Sequence, residues 1–467
     1  MPKPNLVYIF ADQLRFSSLG YNGDKYARTP NIDRFSAHCT DMCTAVSGHP
    51  VCAPYRASLL TGKYTTKTGM VINEIRINGN HRTFADVLNE NGYEPSYIGK
   101  WHMYAAKLGD HFNAENSFIP PGRDRLGFDG NFAAYNFHHL YYSPDAYYHL
   151  DTPEKLYYDG YEPDAQTDMA INELRRLGKG DKPFALFLSL GTPHDPWSAD
   201  NVPSEYLKMF EDVDFPLPSN YKKHNDRHAD MWARFKPFER RRLNDMKRVY
   251  YAMVANLDAN LGKLLKEIEA SDYADNTIVV FTADHGEMFG AQGRHAKNIF
   301  YDESIRVPFL MKWGNRLPEG KNPTCLNTVD IMPTLLNLMK LPVPDGIDGA
   351  DISENILSGS TGENTALLMG TGPTAIWGNG FEWRGIRTRK WTYAVYKKDG
   401  EELLFDNEKD SYQTTNLFHD SSYNSVVQAL KKEMYSKMDA AGDKFRKNSY
   451  YKKHWVKNRI INEHLEP

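Results

Sequence analysis

The stretch Cys52-Ala-Pro-Tyr-Arg-Ala-Ser-Leu-Leu-Thr-Gly62 holds the residues whose types and spacing promise chemistry. Pro54, with its φ preset and no amide donor to lose, predicts a helix start. Gly62 predicts a left-handed cap at the other end. Cys52 then lies at a helix N-terminus, where free amides and the macrodipole favour negative charge. Arg56 follows one turn later on about the same face. A sulfur nucleophile, an amide-rich helix end and a guanidinium fork make an anion site with a reactive group inside it. The plain alternative is a buried structural cysteine beside a surface arginine, which a bare Cys-x-x-x-Arg would suit as well.

Two more clusters sit where strands are expected to end. Asn5-Leu-Val-Tyr-Ile-Phe10 reads as a buried parallel strand and runs into Ala11-Asp12-Gln13. Asn276-Thr-Ile-Val-Val-Phe-Thr282 is a second such strand and ends in Ala283-Asp284-His285-Gly286. In open α/β sheets, ligands bind at the carboxyl ends of the strands. If these strands are neighbours, Asp12, Gln13, Asp284 and His285 meet above Cys52. Clustered carboxylates repel unless a cation lies among them, so a divalent metal is the economical explanation. Oxygen-rich ligation suggests Ca²⁺ or Mg²⁺, and the Gln and His leave Mn²⁺ open.

Further polar groups follow the same rule. Glu94-Pro-Ser-Tyr-Ile98 predicts a strand, with Gly99-Lys100-Trp101-His102 at its end. Lys182-Pro-Phe-Ala-Leu-Phe-Leu-Ser-Leu190 predicts another, closing in Gly191-Thr-Pro-His194. Lys297 precedes Phe300-Tyr-Asp-Glu-Ser-Ile-Arg-Val-Pro308.

Taken together, Cys52-x-Pro54-x-Arg56-x-x-x-x-Thr61-Gly62 and these clusters resemble the type I sulfatases of the alkaline-phosphatase superfamily, over nearly the whole chain. The resemblance implies that Cys52 is oxidised to formylglycine by a maturase. It implies a metal held by Asp12, Gln13, residue 52, Asp284 and His285, with Ca²⁺ expected and Mg²⁺ or Mn²⁺ as alternatives. It implies catalytic roles for Arg56, Lys100, His102, His194 and Lys297, and release of sulfate from a sulfate ester. Gln13 departs from the pattern, standing where many members have a second Asp. Gln-type pairs also occur in relatives that hydrolyse phosphonate monoesters and phosphodiesters, so that activity stays an alternative. The intact Gly99-Lys100-Trp101-His102 favours the sulfatases proper.

The elements that must position these residues alternate between strand and helix over roughly 1–350. The expected fold is therefore α/β, a large mostly parallel sheet sandwiched by helices. Leu243 onward repeats apolar residues at helical steps to Ile268, and Thr328–Met339 reads as a helix. Pro, Gly, Asp and Ser crowd 342–362, predicting a linker. Beyond it, short alternating segments at Trp383, Trp391 and Glu402, a Lys398-Asp399-Gly400 turn and a helix over Ser425–Ala440 predict a small antiparallel sheet plus helix. The expected division is a catalytic domain, 1–362, and a C-terminal α+β subdomain, 363–467.

A net charge of −4 excludes a global attraction for polyanions, so an anionic substrate must meet local positive charge and no nucleic-acid partner is expected. Four cysteines are too few for a disulfide framework. No apolar run of about 18 residues is present, so no membrane span is expected. No basic and apolar leader opens the chain, which fits a cytoplasmic protein or an exported one whose leader has been removed. The stretch 103–162 looks irregular and rich in tyrosine, suiting either sugar stacking or a loop packed on itself. With Trp377 and Trp383 it favours a sulfated sugar over a small compound such as choline sulfate. A sulfated-glycan binding protein is the non-catalytic alternative.

Overall fold

Asn5–Ala11 (β1) is buried along its whole length, because its apolar run has no polar alternation to turn toward water. The computed structural model, which describes residues 2–105, 110 and 113–465, sets it inside an eight-stranded sheet. The other strands in chain order are Thr40–Asp41 (β2), Glu94–Lys100 (β3), Phe132–Tyr135 (β4), Phe184–Leu190 (β5), Thr277–Ala283 (β6), Phe309–Trp313 (β7) and Gly320–Lys321 (β8). They lie in the order β8-β2-β7-β6-β1-β5-β3-β4. From β6 to β4 every pairing is parallel, whereas β7 runs antiparallel to β6. Every residue of β1, β5 and β6 is buried, so both faces of the sheet are covered.

Register decides what the strand ends present. Ala11 pairs with Leu190 of β5 and with Ala283 of β6, and Gly99 of β3 pairs with Ser189. The residues that follow, Asp12 and Asp284, therefore emerge side by side, and the Asp284 amide donates to the Ala11 carbonyl at 3.1 Å. Lys100 is the last residue of β3, which runs two residues past the Ile98 end expected from sequence.

β3 fits against β5 only because residue 99 lacks a side chain. Gly99 has φ of +105°, and a Cβ there would lie 2.0 Å from the Ser189 carbonyl oxygen, which is backbone and cannot turn aside. Gly99→Ala is expected to cost about 3 kcal/mol or more, read as a lower denaturant midpoint, and to shift Lys100 out of place.

The helices form where their signals stood. Cys52–Thr61 (α1) ends in Gly62 at φ of 65°. Glu162–Leu177 (α2) packs on Leu243–Glu269 (α3) and on β5, and Thr328–Leu338 (α4) packs against α1. A second sheet joins Ala366–Gly370 (β9), Trp383–Arg387 (β10), Trp391–Tyr396 (β11) and Glu402–Asp406 (β12), all antiparallel, with Asn424–Ala440 (α5) against it. β9 is a five-residue apolar run buried throughout, too short for its period to distinguish strand from helix.

Three expectations change. The segment 342–362 is no free linker: it contains a helix over Ser353–Ser358, and the Asp348 and Gly349 amides donate to the Gly62 carbonyl. Asp348 also pairs with Lys67. The stretch 103–162, of which 106–109 and 111–112 lie outside the described residues, supplies edge strand β4 to the main sheet. Its Tyr135, Tyr141, Tyr147, Tyr158 and Tyr161 are buried, so packing takes most of the aromatic surface that sugar stacking would need. Trp383 is likewise buried, its indole donating to the Asn298 carbonyl, and offers no sugar platform.

Candidate active site

Cys52 opens α1 as its first residue, after Val51 in extended conformation. Its sulfur lies 3.3 Å from His285 Nε2, 3.6 Å from Asp12 Oδ1 and 3.6 Å from Lys297 Nζ. One donor atom each from Asp12, Cys52, Asp284 and His285 falls within 4.8 Å of the others, and all four residues are buried. Three remote chain segments thus converge as the strand-end rule anticipated.

The helix end does not make Cys52 a thiolate. Burial, and then the Asp12 carboxylate, push the thiol up to about 11, outweighing Lys100 and Lys297. At neutral pH the sulfur is protonated and a poor nucleophile. Desolvation therefore outweighs the helix end and the two lysines at this sulfur.

Arg56 is 1% exposed and divides its fork between anchoring and charge. One terminal nitrogen donates to the Lys100 carbonyl at 2.7 Å and to Ser189 Oγ at 2.6 Å. The other faces Asp12 at 3.1 Å and Asp284 at 3.5 Å. Lys100 Nζ donates to the same Asp12 oxygen at 2.6 Å. Burial alone would raise Asp12, but Lys100, His194, Arg56 and Lys297 hold it well below the ordinary carboxylate value. Asp284 is pushed up to about 7 by burial and by the Asp12 charge beside it. The two carboxylates thus differ in kind, one a firm anion and the other ready to hold a proton.

His285 is set up as a neutral nitrogen donor. Its Nδ1 lies 3.0 Å from the Gly286 carbonyl, which only accepts, so the proton sits on Nδ1 and the lone pair of Nε2 faces the cluster. Burial and then Lys297 lower its basicity. Two buried carboxylates with a fixed imidazole lone pair form a donor set that fits a divalent cation. Gln13 contributes from the side: its Oε1 accepts from Lys297 Nζ at 2.8 Å and its Nε2 donates to Glu287 at 2.7 Å.

His194, Lys297 and His102 complete the cluster. His194 Nε2 lies 2.7 Å from Lys297 Nζ, and its Nδ1 lies 2.8 Å from the Asp195 carbonyl. Lys297 stays above its ordinary value despite burial, held by Cys52, Asp12, Asp195 and Asp284. His102 adopts a φ of +56° and packs against Phe137, ring centroids 4.4 Å apart. Both its ring nitrogens are buried without a partner among the described residues. Burial, Lys100 and Arg56 keep it neutral.

All ten residues singled out in the sequence thus lie in one buried cluster. Two neighbours escaped that reading. Glu287 lies two residues beyond the Asp284-His285 pair and fixes the Gln13 amide. His139 packs against His194, ring centroids 3.8 Å apart and tilted by 55°. Its signal was present in Phe137-His138-His139, but a histidine in an aromatic loop points nowhere until the loop is folded.

A sulfatase family profile matches residues 4–341, and one described as N-sulphoglucosamine sulphohydrolase, C-terminal, matches residues 290–440. An ulvan-active sulfatase of Formosa agariphila is 36% identical over 457 residues, covering 97% of this chain and 84% of its own. An N-acetylglucosamine-6-O-sulfatase of Bacteroides thetaiotaomicron is 25% identical over 499 residues, covering 90% and 84%. A protein solved with its substrate D-glucosamine-2-N,6-O-disulfate has the same fold, with a TM-score of 0.81 at 22% identity over 95% of this chain and 99% of that one.

Proposed function

This chain belongs to the sulfatase family, and we propose that it releases inorganic sulfate from a sulfated carbohydrate through Cys52 matured to formylglycine. It is a sulfuric ester hydrolase, and its family implies formylglycine and a divalent metal. The convergence of Asp12, Cys52, Asp284 and His285 beside Arg56, Lys100 and Lys297 carries the reading. The two named relatives act on sulfated sugars by their descriptions. We assign the maturation to a formylglycine-generating enzyme. No helix among the described residues is long and apolar enough to cross a membrane. We keep 1–362 as the catalytic domain and 363–467 as a subdomain. The latter reaches the site through Thr374, whose carbonyl accepts from the Asn73 amide, while Asn73 Oδ1 in turn accepts from the amide after Cys52.

Asp12, Gln13, residue 52, Asp284 and His285 would hold the metal, for which Ca²⁺ suits the oxygen-rich set and Mg²⁺ or Mn²⁺ are the alternatives. When bound, the cation supplies Lewis-acid charge at residue 52 and the sulfuryl group. Arg56, Lys100 and Lys297 neutralise the sulfuryl oxygens as charge moves onto them, the kind of preorganised field that usually dominates catalysis. The His194–Lys297 pair holds the proton that the departing alcohol takes. His102, neutral and unpartnered, accepts a proton from the remaining hydroxyl of matured residue 52 as sulfate leaves.

His194→Ala is expected to slow sulfate release from a sugar by about 10²–10³-fold. The loss should be smaller on 4-nitrophenyl sulfate, whose leaving group needs no proton. Equal losses on both would remove the general-acid role.

Metal binding should report Asp284. Because its folded value lies near 7, above the ordinary carboxylate value, the metal-free protein holds an extra proton between about pH 4 and 7. Its stability therefore falls as pH rises through that window. A divalent cation must displace this proton, so affinity weakens below about pH 7. Calorimetric titration with Ca²⁺ in buffers of contrasting ionisation enthalpy should show proton release near pH 6 and almost none at pH 8.

The function is tested with matured protein against sulfated mono- and disaccharides, scored for free sulfate, alongside an aryl phosphonate monoester. The reading falls if the phosphonate is cleaved faster than every sulfated sugar.

A further inference from the structure

His139 follows β4 and enters the pocket beside His194, where nothing in the mechanism above uses it. Its Nδ1 lies 3.0 Å from the Asp195 carbonyl oxygen, and His194 Nδ1 lies 2.8 Å from the same atom. A carbonyl only accepts, so both imidazoles carry their proton on Nδ1 and both Nε2 atoms present a lone pair. The His194 lone pair meets the Lys297 ammonium at 2.7 Å. His139 Nε2 is buried and has no partner among the described residues. The groups around the ring are Lys100, Asp12, Lys297 and His138, and burial together with the two lysines keeps it neutral. Phe137 packs on it edge-on at 4.3 Å and His194 at 3.8 Å, so the ring is held between them.

A buried acceptor without a donor costs about 1–3 kcal/mol. Sulfuryl oxygens are acceptors themselves and cannot satisfy it. The alcohol part of the substrate can supply that donor, on the His194 side where the alcohol departs.

We propose that His139 is a specificity residue whose Nε2 accepts a hydrogen bond from a hydroxyl or N–H group next to the sulfated carbon. The inference rests on the sulfatase reading of this pocket and deepens it. A polyhydroxylated substrate supplies such a donor, whereas choline sulfate and simple aryl sulfates do not. A site built around one hydrogen bond rejects analogues that lack its partner, because the buried group is then left unpaired.

The test uses His139→Phe, which keeps a ring between Phe137 and His194 and leaves the Asp195 carbonyl its His194 donor. His139→Gln, which restores an acceptor, is the companion variant. The probes are the sulfated saccharide cleaved fastest in the panel above, its analogue deoxygenated beside the sulfate, and 4-nitrophenyl sulfate. In the parent enzyme, deoxygenation should lower kcat/KM by about 10–100-fold. His139→Phe should lose a similar factor on the hydroxylated sugar and little further on the deoxy analogue, so that the sugar-to-aryl ratio drops about 10–100-fold. His139→Gln should recover part of that ratio. Losses that multiply independently, or an unchanged sugar-to-aryl ratio in both variants, overturn the proposal. If the parent cleaves the aryl sulfate but no sugar, the sulfatase reading stands and the proposal falls; if it cleaves neither, both fall.

Discussion

Cys52→Ala, co-produced with a maturase, is expected to lose on the order of 10⁴-fold or more in sulfate release, with its fold intact. Alanine fits the first position of α1, and the helix is buried throughout, so the removed sulfur leaves only a small void. The loss is chemical. Residue 52 stands within reach of Asp12, His285 and Lys297 at once, and no other described side chain offers a nucleophile among the four converging donors. Mass spectrometry of the parent peptide containing residue 52 should find the aldehyde only where a maturase was present, and activity should follow its abundance. The unconverted thiol, pushed up to about 11, should be inactive at neutral pH. Full activity in Cys52→Ala, or in unconverted protein, would end the assignment.

Arg56→Ala is the second large effect, and it has two parts. Arg56 spans Asp12 and Asp284 and is tied down by the Lys100 carbonyl and Ser189, all out of water. Removing one partner of a buried charge network leaves the others uncompensated, at about 3–5 kcal/mol. Removing a preorganised cation from the sulfuryl oxygens should cost about 10³-fold in kcat/KM. Arg56→Lys should recover little, since one ammonium cannot bridge two carboxylates and hold the Lys100 carbonyl as well. The parts separate experimentally: Ca²⁺ should restore stability to Arg56→Ala more than to the parent, by taking over the carboxylate charge, without restoring turnover. A variant within tenfold of the parent in kcat/KM would contradict the assigned role.

The strands were legible because each is a short apolar run bounded by polar residues, and the site residues were legible because they sit where those runs stop. Helix α1 was legible from Pro54 and Gly62, a purely local signal. β9 was not, since a five-residue apolar run with no alternation reads as strand or buried helix alike. The tyrosines of 103–162 stayed ambiguous for a related reason: an aromatic ring serves a core and a sugar platform equally well until its neighbours are known. Trp383 went to the core on that account.

Read alone, the chain determines which side chains are available and at which strand ends they appear, because backbone propensity and hydrophobic period are local properties. Only the tertiary structure decided that β5 and β6 flank β1 in register, and hence that Asp12 and Asp284 bring carboxylate oxygens within 4.8 Å of each other. It also decided that burial leaves Cys52 a thiol, that one Asp195 carbonyl fixes two histidines, and that His139 faces the pocket. Desolvation, charge coupling and tautomer choice depend on what lies within a few ångströms across the fold, and that distance is not written in sequence spacing.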